Sequence, residues 1–279
     1  MQKIGFIDYY LDEFHANHYP EWIKSLSRGE LEVCYAYAEC DSPGGLTTED
    51  WCRKHGIQQV KTIEELVERS DCMVVLSPDN PERHESLCRL PLASGKRVYV
   101  DKTFAEDRAA ALRIFKNAES HGTPCFSSSA LRFASEYTGI EKQKIQNLAS
   151  WGPGSLEVYS IHQIEPIVML MGTQAKRVLY TGTPQWPAMV IEFNDGRRAS
   201  LSHHGYNCPF SMVVDFAQDS ESRLISVKSD YFGLFVSEMA DFFLTGRLKA
   251  SHEETVAVIS IREAGIKASK NPGQWISVG

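Results

Sequence analysis

Short apolar runs of strand length alternate with helical stretches through the first half of the chain, and few folds accept that pattern. Residues 3–7, 31–38, 72–76 and 97–100 are the runs, and CMVVL at 72–76 is apolar throughout, as a strand covered on both faces must be. Between them lie helical stretches at 21–26, 47–55, 62–70 and 82–94, the last interrupted near Pro91. Gly56 stops the second of these. Thr62 and Glu65 form a capping box at the start of the third. A longer helix over 105–121 carries Leu112, Phe115 and Ala118 on one stripe and ends at Gly122 and Pro124. Strands alternating with helices of this length predict βαβ units and a parallel sheet.

The second half has a different texture. Two β-type stretches, 188–193 and 198–203, flank Asn194-Asp195-Gly196, a hairpin signal in which Asp-Gly suits a type I′ turn. Stretches 213–217 and 224–228 predict further strands, and helices are expected over 232–244 and from Ser251 to about 269. The expected architecture is α/β: a doubly wound parallel-sheet domain over 1–123, then an α+β domain over 124–279 with a mostly antiparallel open sheet. The 279 residues agree with two domains at roughly 150 residues each.

A net charge of -7 argues against nucleic acid and against an anionic membrane surface, since both need a basic face. No apolar run reaches the roughly 18 residues of a membrane span. The seven cysteines are odd in number and none has C-x-x-C spacing, which predicts reduced thiols rather than a disulfide framework or zinc knuckle. Met1-Gln2-Lys3 leads straight into a strand with no signal-peptide pattern, so a cytoplasmic protein is expected.

Four segments in order give the chain a family likeness. Residues 70–78 followed by His84, 95–103 (GKRVYVDKT), Ile161-His162-Gln163-Ile164-Glu165 through Gly172, and the tail 264–278 resemble the motifs of the glucose-fructose oxidoreductase / inositol dehydrogenase / rhizopine-catabolism (Gfo/Idh/MocA) family. The resemblance implies a Rossmann domain followed by a sheet domain that often mediates oligomerisation, hence a homodimer or homotetramer. It implies NAD or NADP as cofactor, no metal, and hydride transfer to or from a small sugar- or cyclitol-like alcohol. Lys102 then stands near nicotinamide and substrate, and His162 is the acid/base.

The chain departs from the family where phosphates should sit. Asp8 and Tyr10 occupy the places of the first two glycines of G-x-G-x-x-G. Those glycines let pyrophosphate approach the amides of a helix N-terminus. A carboxylate about 4 Å from a phosphate costs roughly 1 kcal/mol in water and about 4 kcal/mol at an effective dielectric of 20. Val158 stands where the family often has an aspartate to orient the histidine, so Glu157 or Glu165 must substitute if anything does. Asp101-Lys102-Thr103 replaces Glu-Lys-Pro.

Expected cofactor-side residues are Asp8, Tyr10, Glu39, Ser77, Pro78, Asn80, His84 and Asp101, with Glu39 placed to take ribose hydroxyls and favour NAD. Arg132, Glu165 and His204 are expected on the substrate side, and His203 and His204 are expected to face opposite sides of their strand. Two rival readings stand beside the oxidoreductase. In one, residues 8–20 rebuild the nucleotide site and the protein binds another small molecule. In the other, Asp12, His15 and His18 hold a catalytic metal; otherwise they belong to a polar loop filling the vacated pyrophosphate space.

Overall fold

The computed structural model describes residues 1–217 and 221–279. The chain divides into two compact units, residues 1–128 with 233–252, and residues 129–232 with 253–279. In the first stretch β1 (Gln2–Asp8), α1 (Phe14–Leu26), β2 (Leu31–Ala38), α2 (Thr48–His55), β3 (Gln58–Gln59), α3 (Ile63–Arg69), β4 (Cys72–Val75), α4 (His84–Leu92), β5 (Arg97–Val100), α5 (Arg108–Ser120) and β6 (Cys125–Phe126) follow one another. The second unit holds β7 (Ile145–Pro153), α6 (Leu156–Met171), β8 (Ala175–Tyr180), β9 (Ala188–Phe193), β10 (Arg198–His204), β11 (Ser211–Phe216) and β12 (Ser222–Ser226). The chain closes with α7 (Tyr231–Thr245), α8 (His252–Ser269) and β13 (Trp275–Ser277).

The first sheet is parallel throughout, in the order β3-β2-β1-β4-β5-β6. The expected alternation thus becomes a Rossmann-like doubly wound sheet. The chain leaves β1 toward β2 and re-enters on the other side through β4, so the crevice of such a sheet opens at the C-terminal ends of β1 and β4. Every residue of β4 is buried, as are Ile4–Asp8 of β1. Most of α7 returns to this unit, where Phe235 packs on Tyr99 (5.3 Å between rings) and Phe242 on Phe126 (4.9 Å).

The structure changes two local expectations here. Helix α1 starts at Phe14, so residues 14–20 are not a polar loop. His15, Ala16, Tyr19 and Ile23 form its buried stripe, and burial of that stripe holds the helix despite Pro20. In the hairpin of β9 and β10, only Gly196 (φ +88°) is left-handed, and its N–H meets Phe193 O at 3.0 Å. That is a type I turn closed by a glycine bulge, not type I′, because neither Asn194 nor Asp195 adopts positive φ.

The second sheet runs β12-β11-β7-β10-β9-β8-β13 and is antiparallel except for the β7–β10 pair. Strand β7, missed in the sequence, is an interior strand between β11 and β10. Burial alternates along β8 and β10, as in a sheet with one covered face. Among the described residues no helix is long and apolar enough to cross a membrane, and all seven cysteines are free.

Gly5 marks a close helix–sheet approach in the first unit. A Cβ there would overlap the side chains of Leu66 and Ser70 on the α3 side of β1, with Leu66 Cγ only 2.8 Å away. Gly5→Ala should therefore lower stability by about 1–3 kcal/mol through overpacking, seen as a lower urea midpoint with an unchanged m-value.

Candidate functional site

The strand-end crevice of the first unit is built on carboxylates. Asp8 ends β1 and is 1% exposed. Its Oδ1 accepts the Tyr9 N–H at 2.7 Å, while Oδ2 is buried without a hydrogen-bond partner. Burial, then the charges of Glu13 and Asp101, push this carboxyl well above its ordinary range, although the Tyr9 and Tyr10 amides oppose them. Glu13 caps α1: its carboxylate accepts the N–H groups of His15 (2.8 Å) and Ala16. Burial raises the Glu13 carboxyl too, against the lowering effect of His15 and the two amides.

His15 pairs through Nδ1 with the Asp101 carboxylate, and its ring stacks on Tyr19 at 4.9 Å. Asp101 also accepts Tyr99 OH at 3.0 Å and the Lys102 N–H at 2.8 Å. Burial alone would raise Asp101; the charge and hydrogen bond of His15, with Lys102, outweigh it and hold the carboxyl below its usual range. Asp12, at φ +63°, takes Leu46 N–H (2.8 Å) and Asn17 Nδ2 (3.0 Å), tying the turn to the loop after β2. His18 Nδ1 meets Phe14 O at 2.6 Å. Asp12, His15 and His18 thus serve three different partners. Among the described residues no group of three metal-ligating side chains forms.

Around these groups lie the other expected cofactor-side residues. Half-exposed Tyr10 has its phenol raised, first by burial and then by Asp79 and Asp8. The Glu39 carboxylate is 3.7 Å from the Arg83 guanidinium, which lies 4.5 Å over the Tyr9 ring. Ser77 holds a left-handed φ of +75° just past β4 and reaches Asn80 O at 3.3 Å. A buried non-glycine residue in that region is a strained feature of the kind found at ligand sites. Lys102 Nζ is half-buried and held by Pro78 O at 3.4 Å. His84 differs from expectation: it is fully buried, with its ring nitrogens on Phe104 O (3.0 Å) and Leu76 O. It latches the loops after β4 and β5 and cannot line a crevice.

In the second unit His162 sits on α6 with Nδ1 2.7 Å from Ser129 Oγ. Tyr159 and Phe210 lie edge-on to its ring at 5.7 and 5.9 Å. Arg132 is committed elsewhere: it meets Glu165 at 3.1 Å and Glu254 at 2.8 Å, so it is a buried structural cation and not an anchor for an anionic substrate. Burial raises Glu165 to about 7, against Arg132 and with help from Glu254. His203 is buried on Pro153 O (3.1 Å), while His204 is exposed on the opposite side. His204 lines a separate cleft of about 510 Å³ with Glu157, Trp186 and Tyr206, and His162 does not line it. Sequence reasoning missed Glu13, the His15–Asp101 pair and Ser129. Glutamate is not a favoured N-cap residue, and the two pairs join distant segments.

The sequence matches no protein-family model and no curated protein. Solved structures are similar over nearly the whole chain. Scyllo-inositol dehydrogenase from Lactobacillus casei, solved with NAD(H) and scyllo-inositol, superposes with a TM-score of 0.80 at 15% identity, covering 99% of each chain. An oxidoreductase from Bacillus cereus gives 0.73 at 16%, covering 99% of this chain and 98% of that one. GenD2 from gentamicin A biosynthesis, solved with NAD, gives 0.79 at 14%, with coverage of 99% and 97%.

The fold is that of the Gfo/Idh/MocA oxidoreductases. In a doubly wound sheet the first amides of the helix after β1 are the natural seat for a pyrophosphate. Here Glu13 fills that seat and the buried Asp8 carboxyl stands beside it, so the turn as it stands does not fit a pyrophosphate.

The burial of Asp8 has a testable sign. A carboxyl whose pKa rises on folding binds its proton more tightly in the folded state. Stability is therefore lost as pH climbs from the unfolded value near 3.8 through the raised folded one. Asp8→Asn keeps the acceptor for Tyr9 and removes the charge. It should be more stable than the parent by about 1–3 kcal/mol at pH 7–8, with the gap closing below pH 4, in urea unfolding across that range.

Proposed function

We propose that the chain is a nicotinamide-dependent oxidoreductase acting on a sugar- or cyclitol-like alcohol or its carbonyl, with Lys102 and His162 handling the proton. The observation that carries this is the Lys102 ammonium. It follows β5 at the C-terminal edge of a parallel sheet, where such sheets bind ligands. Its only hydrogen bond among the described residues is to the Pro78 carbonyl, and no carboxylate lies within ion-pair distance. A half-buried cation that no carboxylate contacts directly, beside the strained Ser77, suits a polar ligand better than a structural role. Glu39 after β2 favours NAD over NADP, since a carboxylate accepts ribose hydroxyls and repels a 2′-phosphate. The reading carries with it assembly of a homo-oligomer through the uncovered face of the second sheet.

The filled seat on α1 favours a second reading, a small-molecule binder that has lost redox chemistry. Calorimetry with NAD(H) and NADP(H) at millimolar concentration separates the two. The oxidoreductase requires saturable binding, accompanied by roughly 2.7 kcal/mol of thermal stabilisation at a hundredfold excess over Kd. A dinucleotide must displace Glu13 or lie clear of α1. Glu13→Gly should therefore tighten binding about tenfold or more, the low end of the charge repulsion at 4 Å. No heat from either cofactor with the parent and with Glu13→Gly together would leave the binder as the function.

A further inference from the structure

The carboxylate expected one turn before His162 is absent, and its place is held by Val158, which is 44% exposed. Neither glutamate weighed as a substitute touches the imidazole: Glu157 is exposed, and Glu165 is occupied by Arg132. What does touch it is a hydroxyl from 33 residues earlier. Ser129 is completely buried at the N-cap of a short 3-10 turn over Ala130–Phe133.

We propose that Ser129 is the positioning residue for His162, replacing the missing carboxylate with a hydroxyl held on Nδ1. This rests on the proposed role of His162 as acid/base. Three contacts keep the serine in place. The Leu131 N–H donates to its Oγ at 3.2 Å, Oγ meets His162 Nδ1 at 2.7 Å, and its carbonyl accepts the N–H of Arg132 at 3.2 Å, whose guanidinium is tied to Glu165. With one lone pair occupied by Leu131, the hydroxyl retains one proton and one further lone pair. It donates to Nδ1 when the ring is neutral and accepts from Nδ1–H when the ring is charged. A carboxylate could only accept, and would bias the ring toward imidazolium. Ser129 therefore fixes the ring in both protonation states without favouring the charged one.

The test is the 15N spectrum of the His162 imidazole at pH 8, assigned with His162→Gln. The parent protein should show the Nε2–H tautomer, with Nδ1 at the shift of a hydrogen-bond acceptor. Ser129→Ala should give a mixture of tautomers, and Ser129→Thr should restore the single one. If Ser129→Ala does not fold, Ser129→Cys keeps the volume with a weaker donor and should move the Nδ1 shift toward an unbonded value. Unchanged Nδ1 and Nε2 shifts in the folded alanine or cysteine variant would overturn the assignment. A tautomer change in a protein that binds no dinucleotide would uphold Ser129 as the orienting group and remove the oxidoreductase reading instead.

Discussion

The first turn of α1 satisfies itself, and the character of the strand-end crevice follows from that. A helix N-terminus presents amides without intrahelical partners, and a doubly wound sheet aims them at its ligand crevice. In this chain the Glu13 carboxylate takes the amides of His15 and Ala16. A fixed negative group then stands on amides that a helix N-terminus could otherwise offer to an anion. His15 holds the Asp101 carboxyl below its usual range, while burial and the charges of Glu13 and Asp101 raise the Asp8 carboxyl well above its own. One turn thus shifts the carboxyls at the ends of β1 and β5 in opposite directions.

The second unit treats its buried acid differently. Glu165 lies beside a guanidinium divided between two carboxylates, and that arginine's own N–H bonds the Ser129 carbonyl. Such a cluster costs desolvation and gives little net stability, yet it allows few alternative arrangements. Its consequence is geometric: it fixes the backbone of the residue that holds the imidazole. Pro166, inside α6, also lacks the N–H that would bond the His162 carbonyl in a regular helix, so the helix is loosened on the turn that carries the ring.

Much of the architecture was legible because strand burial leaves a direct mark on sequence. CMVVL had to be a covered strand and LEVCYAYA a strand; β4 is buried at every residue, while β2 is buried at four of its eight. Strand β7 was missed because IQNLASWGP mixes polar and apolar residues and ends in a helix-breaking pair, although it is an interior strand of its sheet. The start of α1 was missed for a related reason. Its buried stripe includes His15 and Tyr19, which read as polar in sequence and become core residues only through the Asp101 pair and the packing of Phe235 on Tyr19. The return of residues 233–252 to the first unit left no compositional trace.

By itself the sequence determined the class of each half, the absence of the phosphate-loop glycines, and the presence of Lys102 and His162. Those properties are local: periodicity, turn chemistry and residue identity at a motif position. Only the tertiary structure decided which groups meet. His15 finds Asp101 across 86 residues and Ser129 finds His162 across 33. Whether a carboxyl is ionised, a ring oriented or a helix end already occupied depends on atoms brought together by packing. One-dimensional spacing does not encode those distances, because burial and hydrogen-bond geometry act through space and not along the chain.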